Sequence, residues 1–152
     1  MKRLLSIVAL FLFLSILSGC TTDKAIAKGY IEKYEYFDPD GIQDFTDYCK
    51  YIYQEDADDT FKKSTLYREM SQEDVSRIAG YFDNFAGWAK AAEHLQGKYD
   101  FDPSLISAGD YYDIQTKEGT PVGDSAYGMY DDYSVYYYDT ETHTLFYIHN
   151  NI

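Results

Sequence analysis

The chain is short of most of what folded proteins use for covalent or catalytic chemistry. Two cysteines, three prolines and one tryptophan stand among 152 residues. Cys20 and Cys49 are too few for a disulfide framework, so packing must hold the fold. Basic residues are scarce, 13 against 26 acidic ones, for a net charge of −13. That balance argues against sequence-independent binding of nucleic acid, which needs a basic footprint. It argues equally against docking on anionic lipid heads through protein charge. The acidic surplus suits cationic partners, or simple solubility near a surface.

Catalytic and cofactor signatures are missing too. Neither Gly-x-Gly-x-x-Gly nor Gly-x-x-x-x-Gly-Lys-Ser/Thr occurs, and no His-Glu-x-x-His or Cys-x-x-Cys. Ser125 follows Gly123-Asp124 without the strand–turn–helix setting of a nucleophile elbow. The histidines, His94, His143 and His149, form no cluster in sequence. The expectation is a protein that is not an enzyme and carries no cofactor. An enzyme of an unrecognised type, or an accessory subunit of one, is the alternative. It would need His149 or His94 to meet a carboxylate in a pocket.

Long apolar runs are also wanting, with one exception. Lys2-Arg3 precedes an apolar run from Leu4 to Leu17, and small residues follow. This is the layout of a secretory signal. The run is short of the ~20 residues that span a bilayer. It ends in Leu17-Ser18-Gly19-Cys20, which resembles the lipobox of bacterial lipoproteins at all four positions. The resemblance implies that residues 1–19 are a signal peptide. It implies that Cys20 receives a diacylglyceryl group and becomes the mature N-terminus. The protein would then sit on the extracytoplasmic face of the cell membrane, held by its lipid. Residues 20–24 read as the lipidated cysteine and a short tether, and 25–152 as a single globular domain. Cleavage removes Lys2 and Arg3 and no acid, leaving 11 basic residues against 26 acidic ones, a balance of −15.

Along that domain the spacing predicts helices first. Ile26, Tyr30, Tyr34 and Phe37 recur every three or four residues, as on one helix face. Asp38-Pro39-Asp40-Gly41 breaks the run. A second helix is expected from Pro39, with Ile42, Phe45, Cys49, Ile52 and Tyr53 inward. Ser71 with Asp74 forms a capping-box variant that opens a third, carried by Val75, Ile78, Phe82 and Phe85, with Gly97 placed to stop it. Strands follow at Tyr111–Thr116, Ser134–Tyr138 and Thr144–His149, the last two joined as a hairpin. A further strand is expected at Ala126–Tyr130. The expected fold class is therefore α+β: three N-terminal helices packed on one face of a C-terminal antiparallel meander of three to four strands.

Tyrosine is the one abundance, 18 residues in all. Alternation places Tyr136 and Tyr138 on one strand face. If helices cover only the other, Tyr136 and Tyr138 face solvent, with Tyr130 and Tyr133 at the rim. Such a face suits recognition of a protein, peptide or glycan. The expected function is thus a non-catalytic binding role at the membrane. An inhibitor or immunity-type lipoprotein against a cationic toxin, enzyme or phage factor is the alternative. For metals, several acidic loops offer clustered oxygens without EF-hand spacing, and the loop with Asp56, Asp58 and Asp59 is the favoured calcium candidate. Cys49 reads as a buried small hydrophobe.

Overall fold

The structure is a computed structural model, described for residues 23–39, 45–116 and 132–151. Six strands dominate it: β1 (Glu32–Tyr36), β2 (Phe45–Ile52), β3 (Arg68–Glu69), β4 (Tyr111–Thr116), β5 (Asp132–Asp139) and β6 (Thr144–Asn151). They form one antiparallel sheet in the order β1-β2-β6-β5-β4-β3. Two α-helices are present among the described residues, the short α1 (Asp58–Lys63) and the long α2 (Gln72–Ala91). A 3₁₀ turn, Glu55–Ala57, leads into α1.

This overturns the expected architecture of three N-terminal helices on a meander of three to four strands. The first two expected helices are strands β1 and β2. Their apolar residues repeat largely at four, and a spacing of four fits two strand repeats as well as one helical turn. Two-sided burial decides between them. Tyr48 and Cys49 are neighbours, point to opposite faces and are both fully buried. β2 is flanked by β1 and β6, so it has no polar side to offer water as a surface helix would. The strand expected at Ala126–Tyr130 lies outside the described residues.

The third helix and the hairpin were set by local chemistry and are present. Ser71 Oγ accepts from Asp74 N, and Asp74 Oδ2 accepts from Ser71 N at 3.0 Å, closing the capping box that starts α2. Ile78, Tyr81, Phe82, Phe85 and Ala89 make its buried stripe. Gly80 and Gly87 do not interrupt it, and it ends at Ala91, before Gly97. The β5–β6 turn is held by Asp139, whose carboxylate accepts from Glu141 N and Thr142 N. His143 there has φ of 51°, the left-handed conformation that closes the turn.

Both sheet faces are covered. On one, Tyr48, Tyr133, Val135, Tyr137 and Ile148 pack beneath Ile78, Phe82 and Phe85 of α2. On the other, Cys49, Tyr51, Tyr136, Tyr138 and Leu145 pack beneath Phe61 of α1, Tyr67 and Ala25. The segment before β1 is strapped there: Tyr67 Oη donates to Ala25 O at 2.5 Å and Tyr53 Oη to Ala27 O at 2.8 Å.

The excess of acid and the excess of tyrosine share a cause. Among the described residues seven tyrosine hydroxyls donate to carboxylates: Tyr34 to Glu32, Tyr48 to Asp100, Tyr51 to Glu35, Tyr112 to Asp74, Tyr136 to Asp23, Tyr137 to Asp110 and Tyr138 to Asp58. A buried phenol without an acceptor is costly, and a charged acceptor makes the stronger bond. Burial first, and the carboxylate second, push Tyr48, Tyr136, Tyr137 and Tyr138 far above the usual phenol range.

Candidate functional site

The tyrosines expected to form a recognition surface are core residues. Tyr136 is 2 % exposed and Tyr138 is fully buried. Tyr133 lies on the opposite face under α2, donating to Asn84 Oδ1 at 2.9 Å. The expectation of a bare second face fails because α1 and residues 25–27 lie across it. Tyr130 and Cys20 are outside the described residues.

The other expected residues are dispersed. Asp58 Oδ1 accepts from Tyr138 Oη at 2.7 Å and lies 3.1 Å from His143 Nδ1. Asp59 pairs with Lys63 at 2.6 Å across one helical turn, and Asp56 stands in the preceding 3₁₀ turn. Among the described residues no group of three His, Cys, Asp or Glu side chains is arranged to hold a metal ion. His149 faces carboxylates from both ring nitrogens, Nδ1 at 3.6 Å from Asp47 and Nε2 at 3.8 Å from Asp132. Ser134 sits opposite it in the β5–β6 register. The Nε2 that would serve such a serine is turned to Asp132 instead. His94 Nε2 is spent on Thr46 O at 2.8 Å. Cys49 is sealed between Glu35 and Tyr147 in the sheet, and burial pushes its thiol up to about 12. A thiol so placed stays protonated at neutral pH and makes a poor nucleophile.

The surface that remains is β1 and its flanks. Six large apolar side chains are exposed among the described residues, and four of them, Tyr30, Ile31, Tyr34 and Phe37, fall within eight positions. Ile31 is 63 % and Phe37 53 % exposed. β1 is an edge of the sheet, with β2 on its other side. Its alternation sets two chemistries on two sides. Tyr34 and Tyr36 stand opposite Lys50 and Tyr48, on the side of α2. Lys33 and Glu35 stand opposite Tyr51 and Cys49 and pair with each other at 2.6 Å.

The tyrosine side is preorganised. Tyr36 stacks near Tyr48, ring centroids 6.2 Å apart, and Tyr48 meets Tyr99 edge-on at 5.0 Å. Lys50 lies over the Tyr34 ring at 5.1 Å and Lys98 over Tyr36 at 5.2 Å. Lys50 also pairs with Asp100 at 2.5 Å. Burial works against the charge on Asp100, but hydrogen bonds from Lys50 and Tyr48 outweigh it and hold the carboxyl below its usual range. The result is a rigid aromatic strip with ammonium groups laid on its rings and carboxylates at its margin.

No protein-family model, curated protein or solved structure matches the chain. The site therefore rests on its own geometry. The period-two pattern of Glu32-Lys33-Tyr34-Glu35-Tyr36 was the signal that could have revealed it.

Proposed function

We propose that this protein is a lipid-anchored lipoprotein of the extracytoplasmic membrane face with a non-catalytic binding role. The observation that carries the binding role is the concentration of exposed apolar side chains on the edge strand β1 and immediately beside it. An edge strand offers unpaired backbone groups, and one flanked by exposed rings invites an added strand from a partner. Glu32 and Glu35 on the same strand, within a chain of net charge −13, favour a cationic partner segment. An inhibitor or immunity-type protein would use this same surface, its target being a cationic toxin, enzyme or phage factor. Support for the anchor is the lipobox-like Leu17-Ser18-Gly19-Cys20. No helix among the described residues is long and apolar enough to cross a membrane.

Two tests separate these parts. Cys20→Ala is expected to move the protein from the membrane fraction to the soluble one. Retention in the membrane would sink the lipid anchor. The pair Ile31→Asp and Tyr34→Ala is expected to reduce capture of envelope partners by native pull-down at least tenfold. Both side chains are exposed, so the melting temperature should move by no more than about 2 °C. Undiminished capture by the folded variant would dismiss β1 as the binding surface.

A further inference from the structure

The net charge argues against protein-driven contact with anionic lipid, but the charge is unevenly distributed. Eight lysines lie among the described residues. Lys33 and Lys50 are paired with Glu35 and Asp100, and Lys98 lies over Tyr36. Four others, Lys24, Lys28, Lys62 and Lys63, gather where the strapped segment before β1 meets α1. Lys24, Lys28 and Lys63 line one open concavity of about 460 Å³, together with the hydroxyl residues Thr60 and Ser64.

Three acids of these segments have partners. Asp23 accepts from Tyr136 Oη and from Ala25 N, and Asp58 from Tyr138 Oη, both drawn toward the sheet. Asp59 is tied to Lys63, so Lys63 shares its charge and Lys24 and Lys28 bring the uncompensated charge of the rim. Lys24 and Lys28 have no carboxylate within 4 Å among the described residues, and Ser64 Oγ, which accepts from Leu66 N, keeps its own proton to donate. Phe61 and Ala25 close the floor. A lysine-rimmed, hydroxyl-bearing hollow of this size takes a phosphate-bearing headgroup.

The course of the chain says which one. Asp23 precedes Lys24, a lining residue of this hollow, and Cys20 is three residues earlier than Asp23. Three extended residues reach at most about 11 Å. If Cys20 is acylated, the hollow therefore lies close to the bilayer surface. We infer that the Lys24–Lys28–Lys63 hollow seats the headgroup of an anionic glycerophospholipid in the leaflet that holds the anchor, fixing the orientation of the domain on the membrane. This rests on the lipid-anchor reading above.

The test uses the lipidated protein reconstituted in vesicles of phosphatidylcholine alone or mixed with phosphatidylglycerol at three to one. Each lysine is followed by its rate of acetylation with a water-soluble reagent, read by peptide mass spectrometry. Labelling of Lys24, Lys28 and Lys63 is expected to slow at least tenfold in the phosphatidylglycerol vesicles and to recover in 0.5 M NaCl. Lys90, on the last turn of α2, should not change. Equal labelling in the two vesicles would overturn the site. Protection by 50 mM inorganic phosphate in plain phosphatidylcholine would overturn it as well, since a free anion would then suffice. Flotation with plain phosphatidylcholine reads the anchor separately: a chain that fails to float yet is protected by phosphatidylglycerol keeps the lysine site and loses the lipid.

Discussion

Asp110→Ala is expected to cost about 4 kcal/mol of folding stability, read as a lowered urea midpoint. Asp110 is 1 % exposed and its carboxylate serves five donors. Oδ2 accepts from Ser107 N at 3.1 Å, Ser107 Oγ at 2.9 Å and Tyr137 Oη at 2.7 Å. Oδ1 accepts from Thr140 N at 3.0 Å and Thr140 Oγ1 at 2.8 Å. The backbone joins in, since Met70 N donates to Asp110 O at 2.7 Å. One side chain thus ties the loop before β4, the centre of β5 and the β5–β6 turn. Alanine takes the acceptor from all five donors: Tyr137 Oη keeps Leu105 O and exposed Ser107 can turn to water, so the cost falls on the part-buried Thr140 donors and on the loss of several charge-assisted bonds at once. Asp110→Asn keeps one acceptor oxygen and points an NH₂ at donors, so about 2–3 kcal/mol is expected. Asp59→Ala is the contrast. Its pair with Lys63 is exposed on both sides, and such pairs contribute little, so the midpoint should barely move. If Asp110→Ala and Asp59→Ala had equal midpoints, Asp110 would not hold the sheet as described.

Tyr138→Ala should be of similar size, about 4 kcal/mol, as for other large aromatic truncations in cores. Its ring stacks on Phe61 at 3.7 Å and meets Tyr53 edge-on at 6.0 Å. Phe61 in turn meets Tyr67 at 5.0 Å. Tyr67 and Tyr53 hold the strapped segment through Ala25 O and Ala27 O. Removing the Tyr138 ring opens a cavity at the hub of this cluster and loosens α1 with it. Tyr138→Phe keeps the ring and loses the hydroxyl's bond to Asp58 and its long contact with His143 Nδ1, for about 1 kcal/mol. A solvent-facing Tyr138, as expected if helices covered only the other face, would give less than 1 kcal/mol for both variants. The difference between the two variants is therefore the measurement that decides whether this face of the sheet is covered.

What was legible in the sequence was local. Ser71 and Asp74 are three residues apart, and both halves of the capping box follow from that spacing. The β5–β6 hairpin is likewise written within Ser134–His149. What was illegible depended on distant partners. Tyr30 and Tyr34, or Phe45 and Cys49, sit four apart and satisfy either period. Pairing with β6, far along the chain, is what fixes β2 as a strand. Tyr136 and Tyr138 were placed correctly on one face, but what covers them is Ala25 and Phe61, which no pattern within β5 announces. The candidate surface had a signal of its own, the alternation in β1, hidden by the helical spacing of its neighbours.

The strand order also bears on the sequence of events in folding. β6 lies between β2 and β5, and Thr46 Oγ1 reaches Asn150 Oδ1 at 3.1 Å across 104 positions. The β1–β2 ribbon forms early in the chain, yet its inner edge has no neighbour until β6 arrives. The sheet therefore closes in one late, long-range step, which raises contact order and slows folding. A chain in which that pairing is delayed leaves the inner edges of β2 and β6 open to wrong partners, a hazard that a single local hairpin does not carry.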